Sequence, residues 1–218
     1  MKEKIKVDVV SDIVCPWCII GYKRMQKAIE ELEIQHKIIL EWQPFELNST
    51  MPIEGENVLE HIKRKYRSSI EDAKRSQENM TELGAELGFK FDYFDEMKIV
   101  NTIDAHILLE YAKEYNLQTA LNVRFVTAFF SERKDISNRE VLFQEIENIS
   151  LNVNEAKMRL ENKANKERIK KQIQFWQSRG ISSVPTVVFN NSSAVTGAQP
   201  TDVYKQIFMQ LLNEQKQQ

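Results

Sequence analysis

The sequence predicts an α/β protein in which a central mixed sheet flanked by helices is interrupted by a large all-helical insertion. Three observations carry that prediction. The chain opens strand, helix, strand, with a crossover long enough for the two strands to run parallel. Strand signals then almost vanish from about Asn57 to Asn162 and give way to helical periodicity. They return at Ile181 to Phe189, ahead of a turn and a short returning strand. The division that follows is residues 1–50 for the first part of the sheet domain, 51–163 for the insertion and 164–218 for the second part.

The elements follow in order. Ile5 to Val10 alternates and is rich in β-branched residues, which suits a strand. The helix after it carries Tyr22, Met25, Ile29 and Leu32 on one stripe, with Lys23, Arg24, Lys27 and Glu30 elsewhere. Lys37 to Phe45 is a second strand, with Leu40, Trp42 and Pro44 on one face. Asn48 to Gly55 is a loop, marked by Met51-Pro52 and Glu54-Gly55. Asn57 to Leu87 is one long or two shorter helices, with a weak break at Gly84 and an end at Gly88. Phe89 to Met97 is a loop packed on the helices. Asn101 to Tyr115, Leu117 to Phe130, Asn138 to Ile149 and Glu155 to Glu161 are further helices, the last capped by Asn154. Lys166 to Arg179 is a long helix closed by Gly180. Pro185 stands at the head of the next strand, since proline cannot sit inside a ladder. Asn190 to Ser193 turns the chain into the strand Ala194 to Gly197, and Pro200 to Leu212 is a closing helix before a polar tail to Gln218.

The chemistry is concentrated at Ser11-Asp12-Ile13-Val14-Cys15-Pro16-Trp17-Cys18, which holds the only two cysteines in 218 residues. A bridge between them closes so small a loop that it removes little entropy from the unfolded chain, so a structural staple is a poor explanation. Redox chemistry and metal binding remain. Cys15 falls at a strand-to-helix junction, with Pro16 at the first helical position. There, unpaired N–H groups and the positive end of the helix dipole favour a thiolate. Cys15 is therefore the candidate nucleophile, and Cys18, one turn inside on the same face, the candidate resolving thiol. Zinc requires more ligands than one cysteine pair supplies, and His36, His61 and His106 are scattered singly. No metal is expected.

Net charge is −2, and basic runs such as Lys63-Arg64-Lys65 are interleaved with acids, so neither nucleic acid nor an anionic membrane is an expected partner. Met1 to Lys6 is charged and leads into an apolar run too short for a signal peptide. A cytoplasmic protein is the expectation, and cytoplasmic disulfides are usually transient and catalytic.

The order of elements resembles the thioredoxin-like fold as elaborated in the DsbA family, over essentially the whole chain. Four motifs are similar to its FrnE-like branch: Ser11-Asp12-x-x-Cys15-Pro16-Trp17-Cys18, Asn101-Thr102-x-x-Ala105-His106, Gly180-Ile181-Ser182-Ser183-Val184-Pro185-Thr186 and Gly197-Ala198-Gln199-Pro200. The resemblance implies a dithiol–disulfide oxidoreductase in which Cys15 attacks and Cys18 resolves. It implies too that the Val184–Pro185 bond is cis and lies against the cysteine pair, leaving Val184 backbone groups open to an extended substrate.

Around this pair, Asp12 is either a proton acceptor for Cys18 or a cap for the entering loop, and Trp17 an apolar contact for substrate. Asn101 reads as a helix cap and His106 faces either the cysteines or solvent. The aromatic groups Phe89, Phe91, Tyr93, Phe94 and Phe125, Phe129, Phe130 form insertion core, part of it lining a groove over the site. No cofactor is expected beyond the cysteine pair, with glutathione as a possible co-substrate. Substrates are thiol- or disulfide-containing proteins or small molecules, and monomer and homodimer both stay open. The alternatives are a glutathione-dependent isomerase or transferase similar to 2-hydroxychromene-2-carboxylate isomerases and kappa-class glutathione transferases, whose members typically carry serine at the position of Cys15, and a chaperone or metal-binding protein using the pair.

Overall fold

The computed structural model describes residues 4–52 and 54–217. The first residues of the charged start, Ile53 of the predicted loop and Gln218 of the tail lie outside the described residues. In chain order the elements are β1 (Ile5–Ser11), α1 (Pro16–Glu31), β2 (Ile38–Pro44), β3 (Glu56–Asn57), α2 (Val58–Tyr66), α3 (Ile70–Glu86), β4 (Lys98–Ile99), α4 (Ile103–Lys113), α5 (Gln118–Ser131), α6 (Arg139–Asn148), α7 (Val153–Glu161), α8 (Lys163–Ser178), β5 (Thr186–Phe189), β6 (Ser193–Thr196) and α9 (Thr201–Gln217).

The main sheet runs β2-β1-β5-β6. β1 and β2 are parallel from Ile5 opposite Ile38 to Ser11 opposite Pro44, while β5 is antiparallel to both β1 and β6. Pro44 is tolerated because β2 is an edge strand. Alternation along β1 decides what covers each face. Ile5, Val7 and Val9 pack with Met25 and Ile29 of α1 and with Tyr204 and Phe208 of α9. Val10 packs on the other face with Phe45, Trp176 of α8 and Val188. Full burial of each of these large side chains is worth about 1.5–3 kcal/mol.

α1 joins the two parts of the molecule. Met25, Ala28 and Ile29 face the sheet, whereas Ile19 and Ile20 enter a second core with Leu108, Phe125 and Phe129 of the helical segment. The edge at β2 is also closed by that segment. The Gln118 side chain accepts from Trp42 N and donates to Trp42 O, both at 2.9 Å, so a helix-start residue takes up two outward strand groups.

Several boundaries differ from the sequence reading. β3 and β4 pair antiparallel inside the helical segment, with Glu56 opposite Ile99, and two residues are too few to show a period. Asn57 caps α2 through bonds to Leu59 N and Glu60 N, and Arg67 at φ 55° separates α2 from α3. Gly84 is no break but lies within α3, where a Cβ would come within 2.6 Å of the Phe91 ring and 2.8 Å of Phe89 O. The cap of α7 is Asn152 rather than Asn154, because it is the Asn152 side chain that accepts from Glu155 N, at 3.1 Å. Asn162 starts α8 earlier than expected, and α9 continues through most of the polar tail.

Candidate active site

Cys15 is the N-cap of α1, in extended geometry at φ −96° and ψ 109°, with Pro16 next to it as the helix begins. The turn into it is tight: Cys15 N donates to Asp12 O and Cys18 N donates to Cys15 O, each at 3.1 Å. No acidic side chain occupies the first turn, so none there places negative charge beside the two thiols. Both cysteines are free and nearly closed to solvent, whereas Trp17 between them is 37% exposed. Burial pushes the Cys18 thiol well above the usual range, and its hydrogen bond with Cys15 adds to the effect.

The Val184–Pro185 peptide bond, which is cis, lies across from the pair. Cys15 Sγ is 3.8 Å from Val184 O. The loop is tied from several directions: Gly197 N donates to Pro185 O at 2.7 Å, Thr186 Oγ1 donates to Ser183 O at 2.8 Å, and Arg24 of α1 donates to Ala198 O at 2.8 Å. Gly21 permits this closeness. A Cβ there would sit 3.3 Å from both Pro185 Cγ and Ala198 Cα.

Behind the cysteines lies a buried polar group. Asp12 Oδ2 accepts from Leu47 N at 2.8 Å, while Oδ1 has no hydrogen-bond partner among the described residues. His106 Nε2 is 3.5 Å from that Oδ1 and 3.0 Å from Phe45 O, so His106 faces inward. Asn101 stands further off and is not the cap of α4, a position held by Thr102; one residue earlier, its side chain accepts from Ile103 N at 3.0 Å and donates to Glu46 at 3.4 Å. Burial raises the Glu46 carboxyl, against a downward pull from His106.

A cavity of about 410 Å³ opens beside Cys15, Trp17 and Val184. Tyr93, Phe129 and Phe130 line it, whereas Phe89, Phe91 and Phe125 are closed into the core. His61 lines it too, a residue sequence reasoning passed over because a lone histidine carries no pattern. Gly21 and Glu46 were missed for the same reason. Among the described residues, no group of three or more His, Cys, Asp or Glu side chains is arranged to hold a metal ion, and no helix is long and apolar enough to cross a membrane.

A thiol pair at the start of a helix, facing a proline loop at the head of an antiparallel strand, defines a thioredoxin-like oxidoreductase class. The chain belongs to the DSBA-like thioredoxin domain family, which matches residues 6–208. It is similar over its length to a crystal structure of a probable DsbA oxidoreductase from Streptomyces coelicolor, with TM-score 0.90 and 27% identity, covering 96% of this chain and 91% of that one. It is also similar to an uncharacterized protein, YwbO, of Bacillus subtilis, 25% identical over 92% of this chain and 94% of the relative. In fold it resembles a cytosolic disulfide reductase, DsbM, from Pseudomonas aeruginosa solved with GSH, with TM-score 0.67 and 17% identity, covering 95% and 99% of the two chains.

Proposed function

We propose that this chain catalyses dithiol–disulfide exchange, with Cys15 as nucleophile and Cys18 as resolving thiol. The observation that carries the reading is the position of Cys15 as cap of α1, its Sγ 3.8 Å from Val184 O. In this reading Cys15 reacts as its thiolate, at the start of α1 where unpaired backbone N–H groups face it. That thiolate attacks a substrate disulfide, forming a mixed disulfide and releasing one substrate thiol. Cys18 holds its proton until then, since burial disfavours its charged form. Once it loses the proton it attacks Cys15 Sγ and frees the second thiol.

Asp12 is the acceptor for the Cys18 proton in this reading; Leu47 N holds its carboxylate, and His106 stands 3.5 Å from the open oxygen. Trp17 offers an apolar face to the substrate, and Val184 beside Pro185 offers backbone groups for an extended segment. Asn101, one residue before the Thr102 cap of α4, steadies the start of that helix through Ile103 N. Residues 1–50 and 164–218 form the exchange domain and 51–163 its cover. Glutathione is the proposed co-substrate, a reading supported by the reductase of like fold solved with GSH, and the cytoplasm the proposed compartment.

The test is trapping. Cys15→Ser abolishes exchange with an oxidised substrate, and Cys18→Ser accumulates a mixed disulfide visible by mass. Exchange by Cys15→Ser at the parent rate refutes the mechanism. Glutathione conjugate isomerisation surviving in Cys15→Ser would put the isomerase reading in its place.

A further inference from the structure

The cavity beside Cys15 contains a polar device that thiol exchange does not use. Its volume, about 410 Å³, falls in the usual span of small-ligand sites, about 300–1,000 Å³. The wall is mostly apolar, with Met80, Met97, Phe129 and Phe130 all buried. Asn48, Ser68, Asp72, Ser76 and Gln77 also line it, half-buried or exposed, and His61 is the buried polar ring among them. His61 of α2 is buried, and its Nδ1 lies 2.6 Å from Glu56 Oε2. Arg64 grips the same carboxylate through both oxygens, Nε to Oε1 at 2.8 Å and Nη2 to Oε2 at 2.6 Å. The paired Arg64 and the His61 ring hold the Glu56 carboxyl down at about 2, so it is ionised and can only accept. The proton between them therefore sits on Nδ1. That fixes the ring and, in its neutral form, leaves Nε2 an acceptor. Among the described residues Nε2 has no hydrogen-bond partner, and it is not among the atoms sealed from open space.

We propose that the cavity receives the apolar arm of a small-molecule disulfide, and that a hydrogen-bond donor on this arm bonds to His61 Nε2. The proposal rests on the exchange reading and names its substrate class. An extended polypeptide offers backbone along an edge. A mostly apolar cavity with a buried acceptor on its wall suits a rigid apolar group bearing a donor. In the reaction, Cys15 thiolate attacks one sulfur of the disulfide. The S–S bond breaks, a Cys15 mixed disulfide forms, and the leaving thiolate takes a proton from solvent. Cys18, deprotonated, then attacks Cys15 Sγ and releases the second thiolate. The substrate gains two electrons and the protein dithiol loses them.

The test follows reduced protein with three disulfides: bis(4-hydroxyphenyl) disulfide, diphenyl disulfide and bis(2-hydroxyethyl) disulfide. Each rate is divided by that of the same disulfide with free glutathione, which removes differences in leaving group. We expect the hydroxyphenyl compound to exceed the hydroxyethyl compound by about tenfold or more, and diphenyl disulfide to fall between. Equal normalised rates for the hydroxyphenyl and hydroxyethyl compounds overturn the cavity assignment, and equality with diphenyl disulfide overturns the part given to His61. His61→Phe should erase the hydroxyl advantage and Met80→Trp the aromatic one, in variants whose near-ultraviolet circular dichroism matches the parent. A second measurement separates this proposal from the exchange reading. Binding of 4,4′-thiodiphenol, a thioether that cannot exchange, is followed through the fluorescence of Trp17 at the cavity mouth. Saturable binding without exchange supports the cavity and removes the exchange reading; exchange without binding overturns the cavity and leaves exchange intact.

Discussion

Replacing Gly84 by alanine pits two effects of known size against each other. Alanine in a helix interior is favoured over glycine by about 1 kcal/mol, so a free site would be stabilised. Gly84 is not free: a Cβ meets the Phe91 ring at 2.6 and 2.7 Å and Phe89 O at 2.8 Å. The ring has little room to withdraw, because it packs edge-on against Phe89 and Phe130 and stacks on Tyr93 at 5.6 Å. Overpacking of this kind costs typically about 1–3 kcal/mol, and a backbone oxygen in the contact puts it in the upper part of that range. The expected net effect is destabilisation by about 1–2 kcal/mol, or about 2–8 °C in melting temperature for a chain of this length. Urea and thermal unfolding measure it. A companion, Gly84→Ala with Phe91→Leu, should lose less than the sum of the single changes, since the smaller side chain makes room. A more stable Gly84→Ala protein, or strict additivity in the pair, refutes the steric reasoning.

Three further outcomes are expected. In a Cys15→Ser protein, Cys18 should react with iodoacetamide only at pH values well above the ordinary thiol range near about 8.5, because burial, its main constraint, remains; a midpoint at that ordinary value speaks against it. Gln118→Leu leaves Trp42 N and O without their partners, which should destabilise by about 2–5 kcal/mol in urea unfolding, and a change under about 0.5 kcal/mol would mean water replaces the bonds. Glu56 is depressed in the folded protein, so its contribution to stability is whole above the unfolded value near about 4.3 and fades as pH falls toward about 2. Glu56→Gln should therefore be less stable at neutral pH, with the gap closing across that window; a gap independent of pH contradicts the ion pairing.

What the sequence revealed depended on whether the signal was local. β1 and the start of α1 at Pro16 have a period or a proline within a few residues and appear where expected, while the returning strand, read from Ile181, begins only at Thr186, directly after Pro185. Asn152 and Asn154 are both good caps with helix formers after them, and only the fold selects the one whose side chain meets Glu155 N. Gly84 reads as a weak helix break until Phe91 is seen against it. The inward turn of His106 joins residues far apart in the chain, and His61 meets Glu56 from five residues away, across β3 and α2, a spacing with no helical period to reveal it. Gln118 is another such case, reaching 76 residues back to the strand it completes.

That reach also governs how copies of the chain could associate. A strand arriving at β2 would find Trp42 already engaged and α5 in the way. β6, short and largely exposed, is the remaining side on which the sheet can grow. Two chains meeting there through their β6 strands would form one continuous sheet whose two outer ends are both stopped by a glutamine. Growth of that kind terminates at two, so the plug that completes one fold also protects against open-ended stacking.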